Sequence, residues 1–167
     1  MDEPRSLDDS ERQAWKSLVT VVNVGIPQIE RTFRQHGLVH IEYAVLAVLS
    51  DRPRGMRLCD LARTQNMSAS RLSHRMRKLV HRGLVDISGS DADGRVSIAM
   101  ITDSGRRLIR TIAPRHVRDV RRMLFEGLDP DQTVALADAL ATVAGHLTGR
   151  VGTRYPVSAR PVAVVGA

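Results

Sequence analysis

The chain has 167 residues, 43% of them apolar, which is enough to bury the core of one domain. Its 25 Lys and Arg exceed its 18 Asp and Glu by seven, and all but Lys16 and Lys78 are arginines, whose planar fork suits phosphates and carboxylates. The single cysteine, Cys59, excludes an intrachain disulfide scaffold; with no apolar run long enough for a membrane span and no basic-then-apolar leader, a soluble cytoplasmic protein with an acidic macromolecular partner is expected.

Residues 10–24 place Trp15, Leu18, Val19 and Val22 on one face of a helix. Gly25-Ile26-Pro27 predicts a kink or interruption, since proline lacks a backbone donor and crowds the preceding turn. The helix resumes to about Gln35, and Gly37 ends it. A short buried helix over 40–50 carries Ile41, Val45, Leu46, Val48 and Leu49, and 51–55 form a loop by their Pro and Gly. Two helices follow over 58–65 and 68–81, separated only by Asn66-Met67. Ser68 is placed to cap the second, whose apolar stripe of Leu72, Met76, Leu79 and Val80 lies opposite Ser70, Arg71, His74, Arg75 and Lys78. Gly83 suits the left-handed residue that closes this helix.

Leu84, Val85 and Ile87 predict a strand, 88–94 a turn with the hairpin signal Asp93-Gly94, and 95–101 the return strand. Thr102 caps a further helix through Leu108, Ile109 and Ile112 to Val117, Val120 and Leu124, with a kink expected at Pro114. Asp129-Pro130 opens the last helix, with Leu136, Leu140, Val143 and Leu147 on one face. Residues 149–167 have no period and read as a flexible tail.

The charge is concentrated. Residues 52–82 hold nine basic side chains against Asp60 alone, a net +8 that leaves the remainder at −1. A solvated helix face is the plain alternative for any basic run. Here, however, the run lies on helix, short turn, helix and polar-tipped hairpin, the order of a winged helix-turn-helix in a mainly α (α+β) chain. Such a module sets its second helix in the major groove and its hairpin tip in the minor groove. Arg71 and Arg75 can each fork onto guanine, while Ser68, Ser70 and His74 can bond phosphates or base edges, with Lys78 on the same face. Arg95 is the minor-groove candidate, and Asp93 either forms the turn or orients Arg95 through an ion pair. Arg82 is expected to contact phosphate whatever the sequence. No glycine-rich phosphate loop, nucleophile elbow or apolar carboxylate pair supports catalysis, so no enzyme is expected.

Arg57-Leu58-Cys59-Asp60-Leu61-Ala62, the stretch 68–85, and Asp91-Ala92-Asp93-Gly94-Arg95 followed by Ile101-Thr102-Asp103-Ser104-Gly105 stand in an order and spacing that resembles the MarR (multiple antibiotic resistance regulator) family of bacterial transcription factors, over residues 11–147. The resemblance implies one domain over 8–148. Within it, 8–36 and 103–148 supply dimerisation helices and 40–101 the winged helix-turn-helix. It also implies a homodimeric regulator without a cofactor, a repressor on a palindromic operator of double-stranded DNA, modulated by a small-molecule effector. Carried over by position, Ser68, Ser70, Arg71, His74 and Arg75 face the major groove and Arg95 sits in the wing. Gly94 and Ser97 stand where many relatives carry arginines, which implies a weaker wing contact.

The family's effector crevice, between dimer helices and winged domain, points to Trp15, His36, His40, Tyr43 and Arg115, with core packing the other reading of Trp15 and Tyr43. His36 and His40 have a metal-ligand spacing, but Gly37 breaks the helix between them and no Cys or carboxylate cluster lies near, so no metal site is expected. Cys59 is either an oxidant sensor, as in certain relatives, or a semi-buried core thiol, the default because those sensors lie near the N-terminal helix. Other readings of the whole are a basic structural nucleic-acid-binding protein without sequence preference and a zinc- or thiol-sensing variant of the regulator.

Overall fold

Helix α1 (Asp9–Thr20) starts on a capping box, in which Asp8 Oδ1 accepts the Glu11 N–H at 2.9 Å and the Glu11 carboxylate accepts the Asp8 N–H at 2.8 Å. The computed structural model describes residues 6–90 and 93–149, the side chains of 90 and 93–96 excepted. The predicted interruption at Gly25-Ile26-Pro27 takes the form of a π-helical turn (Val21–Gly25) that runs directly into α2 (Ile26–Arg34). The Ile26 N–H reaches back to the Val21 carbonyl, and this wider turn admits the proline ring in the first turn of α2.

Helix α3 (His40–Ser50) crosses the middle of the core, where Tyr43, Val45, Leu46 and Leu49 are buried. Strand β1 (Met56–Arg57) leads into α4 (Leu58–Thr64), and α5 (Ala69–His81) follows. Ser68 caps α5, its Oγ accepting the Arg71 N–H at 3.4 Å. At the other end Gly83 adopts φ +64°, and the Leu84 N–H returns to the Leu79 carbonyl at 3.0 Å. Strands β2 (Val85–Ser90) and β3 (Asp93–Ile101) form the hairpin, and β1 adds to the far side of β3, giving antiparallel order β1-β3-β2. Val85 faces Ile101 and Ile87 faces Ala99 in the β2–β3 ladder, while Met56 faces Ala99 across β1–β3.

Helix α6 (Asp103–Val120) is capped by Thr102, whose Oγ1 accepts the Gly105 N–H at 3.1 Å, and it contains Pro114. A second π-helical turn (Arg121–Phe125) extends it. Buried Gly25 of the first π turn packs directly on Met123 of the second. Helix α7 (Pro130–Thr148) has its own capping box from Asp129 and Gln132 and ends at Gly149, φ +64°. The predicted tail beyond Gly149 lies outside the described residues.

One core joins Phe33 of α2, the α3 side chains, Leu61 of α4, Leu72, Met76 and Leu79 of α5, Val85 and Ala99 of the sheet, and Ile109 and Ile112 of α6. The terminal helices stand apart from it. Helix α1 buries no residue and α7 only Gly145, so the predicted stripes exist but point outward. Trp15, 59% exposed, is therefore not a core residue of the single chain, whereas Tyr43 is. Among the described residues no helix is long and apolar enough to cross a membrane.

Candidate nucleic-acid interface

The buried stripe of α5 turns its other side outward and leaves Ser70, Arg71, His74 and Lys78 exposed along more than two helical turns. Ser68 is exposed too, but its hydroxyl serves the helix cap and lies 3.2 Å from that of Ser70. His74 and Lys78 continue into a shallow basic cleft with Arg77, His81 and Arg82. Arg77 and His81 were not singled out in the sequence, although they follow His74 at i+3 and i+7 and so share its side.

Two arginines are engaged within the protein. Arg75 Nη1 lies 3.4 Å from Oε1 of Glu42 on α3, and its side chain is 33% exposed. Arg82, expected to contact phosphate, is exposed and donates from Nη1 to the Gly37 carbonyl at 2.6 Å and from Nη2 to the His36 carbonyl at 2.9 Å. The carbonyls of His36 and Gly37 lie in the turn that follows α2, beyond its helical ladder, and one guanidinium can satisfy both at once. In the wing, Asp93 and Arg95 belong by backbone to β3, and their side chains lie outside the described set. Cys59 is exposed, not semi-buried, because α4 turns Leu61 and Ala62 to the core; its Sγ is 3.8 Å from Asp60 Oδ1.

Of the effector-pocket candidates, His40 and Tyr43 come together. Their partners are Phe33, stacked on Tyr43 at 4.6 Å between centroids and 5.5 Å from His40, and His116, 4.8 Å from Tyr43. His116 had no sequence signal beyond its place beside Arg115. Arg115 itself holds Asp119 through Nε at 3.0 and 3.2 Å, and Asp119 also accepts the Thr32 hydroxyl at 2.6 Å. Arg115, His116, Arg118, Arg121, Arg122 and Phe125 line a cleft of about 960 Å³ along the end of α6 and the second π turn, with Thr133 of α7 also at its wall. Among the described residues no ring contact links Trp15 or His36 to the aromatic cluster. Nor is any group of three or more His, Cys, Asp or Glu among them placed to hold a metal.

His116 Nδ1 is buried without a hydrogen-bond partner. Burial first, then the nearby His40, lowers the His116 pKa, and Asp119 only partly offsets this. Burial pushes the Asp119 carboxyl up, but hydrogen bonds from Thr32 and Arg115 and the charges of Arg115 and Arg122 together hold it below the ordinary carboxylate value. The unfolded chain therefore takes a proton on His116 at a higher pH than the native chain does. Stability contributed by neutral His116 is complete above about pH 6.5 and is lost as the pH falls toward its lowered native pKa. The Asp119 contribution survives to lower pH and disappears through that group's own lowered pKa. Urea midpoints are expected to drop from pH 7.5 to 5.5, and His116→Phe, which keeps the ring packing, is expected to flatten that drop. Parallel profiles for the two proteins would rule His116 out as the source.

The hairpin behind a basic, solvent-facing second helix defines a winged-helix DNA-binding protein. Residues 38–105 match the family model described as a winged helix DNA-binding domain. The crystal structure of AbsC, a MarR family transcriptional regulator from Streptomyces coelicolor, is 34% identical, covers 87% of this chain and 99% of its own, and superposes with a TM-score of 0.82. Sco3205, a MarR family regulator from the same organism solved in complex with DNA, is 33% identical over 88% of this chain and 93% of its own, TM-score 0.82. CouR from Rhodococcus jostii RHA1, solved with p-coumaroyl-CoA, shares the fold at 24% identity over 83% of this chain and 96% of its own, TM-score 0.71. No curated protein sequence matches the chain. This protein belongs to the MarR family of transcriptional regulators.

Proposed function

We propose that the protein is a homodimeric repressor in the cytoplasm that grips a palindromic operator with two copies of α5 and is released by a small-molecule effector. The observation that carries this reading is the division of the surface: a basic face on α5, and unburied apolar stripes on α1 and α7. In this reading, 8–36 and 103–148 pack between subunits and 40–101 reads DNA. Two-fold symmetry then presents the helices to successive major grooves. Ser70, Arg71, His74, Arg75 and Lys78 face the groove, with Ser68 at the entry of α5. Arg95 of the wing is the minor-groove contact in this reading, with Asp93 as turn former or ion-pair partner. The DNA complex of the 33% identical Sco3205 supports DNA as the partner.

Arginines in a cleft that meets the aromatic cluster at His116 suit an anionic aromatic effector, with Arg115 in the cleft, Tyr43 and His40 in the cluster, and Trp15 and His36 as the further candidates. Release requires that this ligand prefer a dimer whose recognition helices are spaced wrongly for DNA.

Selection from a random duplex pool is expected to return a palindrome, bound at physiological salt orders of magnitude more tightly than random duplex. Arg71→Ala should cost about 1–3 kcal/mol there and relax the preference at one base position per half-site. Equal affinity for selected and random duplexes would leave a basic nucleic-acid-coating protein in its place.

A further inference from the structure

Glu42 is a buried carboxylate, and its two oxygens do different things. Oε2 accepts the Val39 N–H at 3.1 Å, closing the first turn of α3. That bond needs an acceptor and no charge, so a glutamine would serve it equally well. The other oxygen, Oε1, faces Nη1 of Arg75 across from α3 to α5 at 3.4 Å. A buried charge persists only where an opposite charge answers it, and here the answer comes from the recognition helix. Among the described residues Nη1 is the one Arg75 atom so engaged, and the side chain as a whole is 33% exposed.

The helix itself does not depend on this contact for its seat. Leu72, Met76 and Leu79 bury its inner stripe. Arg82, seven residues and two turns beyond Arg75, ties its C-terminal end to the His36 and Gly37 carbonyls. Loss of the Glu42 charge therefore frees one side chain without unseating α5.

We propose that Glu42 is a specificity-determining positioning residue: it holds one edge of the Arg75 guanidinium, aims the other edge at the bases, and keeps this arginine from acting as a mobile phosphate cation. The proposal rests on the reading of α5 as the recognition helix. Neutralising the carboxylate then has opposite effects on two kinds of binding. Random duplex gains a phosphate-seeking cation, whereas the selected duplex loses a pre-aimed fork, and preorganisation is what makes a bidentate contact selective.

The test compares selected and random duplexes across a salt series for wild type, Glu42→Gln, Arg75→Ala and the double variant. Glu42→Gln, which keeps the α3 cap, is expected to bind random duplex several-fold more tightly. Its log–log salt slope should steepen by about one, and its preference for the selected duplex should fall about tenfold. In the Arg75→Ala background the same change is expected to alter neither preference nor slope. Arg75→Lys, which leaves Glu42 and its cap intact, is expected to keep affinity for random duplex and lose preference, so the idea stays exposed even if Glu42→Gln fails to fold. Unchanged preference in Glu42→Gln, an equal shift without Arg75, or full preference in Arg75→Lys overturns the proposal while the wild-type preference stands. A wild type with no preference overturns the functional reading itself, and this proposal with it.

Discussion

Val143→Asp is expected to turn the protein into a monomer and to weaken binding to its preferred duplex by two orders of magnitude or more. Leu140, Val143 and Leu147 recur at helical spacing on α7 and are 47%, 53% and 77% exposed, and Trp15 and Leu18 of α1 with Val22 of the π turn that follows it form a matching stripe. Burying a side chain of this kind contributes roughly 1.5–3 kcal/mol, so two uncovered helix faces hold ample driving force for association with a second copy. A carboxylate at Val143 in that interface would be buried without a partner, which costs several kcal/mol. In the separated chain it would face water, and α7 would keep its Asp129 box and Gly149 exit. The helix content of the variant should therefore match that of the wild type. Separated subunits also lose the linked second half-site, and such linkage is commonly worth 10²–10⁴ in affinity. Sedimentation velocity and duplex titration read the two effects separately. A variant that still sediments as a dimer at micromolar concentration would place the interface elsewhere.

How far the molecule could be read without coordinates follows from the range of each interaction. The boundaries of α5, α6 and α7 were legible because their caps are local: Ser68, Thr102 and Asp129 each bond a backbone N–H three residues on. Strand β1 was not, since two residues carry no period and Met56 becomes a strand only by pairing with Ala99. The polar face of α5 was legible as a set of residue types, but the division of labour within it was not. Arg75 finds Glu42 33 positions away and Arg82 finds Gly37 45 positions away, while Arg71 stays exposed. His116 joins Tyr43 only through the packing of α6 on α3. The apolar stripes of α1 and α7 were read correctly as stripes. Their periodicity could not say whether the cover comes from the same chain, and among the described residues it does not.

Gly105→Ala is expected to remove about 3 kcal/mol of stability, a large loss for a single methyl group. Gly105 is buried in the first turn of α6, where that helix rests on the corner between α5 and β2. A Cβ there would be pressed into the Leu84 carbonyl oxygen and lie 2.7 Å from Ile101 Cγ1. The carbonyl cannot retreat cheaply, because it already accepts the Thr102 N–H at 3.1 Å. The Thr102 hydroxyl binds the same corner, donating to the Gly83 carbonyl at 2.7 Å while accepting from Gly105. Relief of the clash thus breaks hydrogen bonds of the cap as well as adding the 1–3 kcal/mol typical of overpacking. Gly83, immediately before Leu84 on the other side of the contact, supplies the contrast. Its φ is +64° and a Cβ there would meet nothing within 4 Å, so Gly83→Asn should cost only about 1 kcal/mol of left-handed strain. Urea unfolding of the two variants separates the mechanisms. Equal losses at both positions would mean that backbone conformation, not the close approach of α6 to Leu84, accounts for glycine at 105, and the seat of α6 behind the wing would need another explanation.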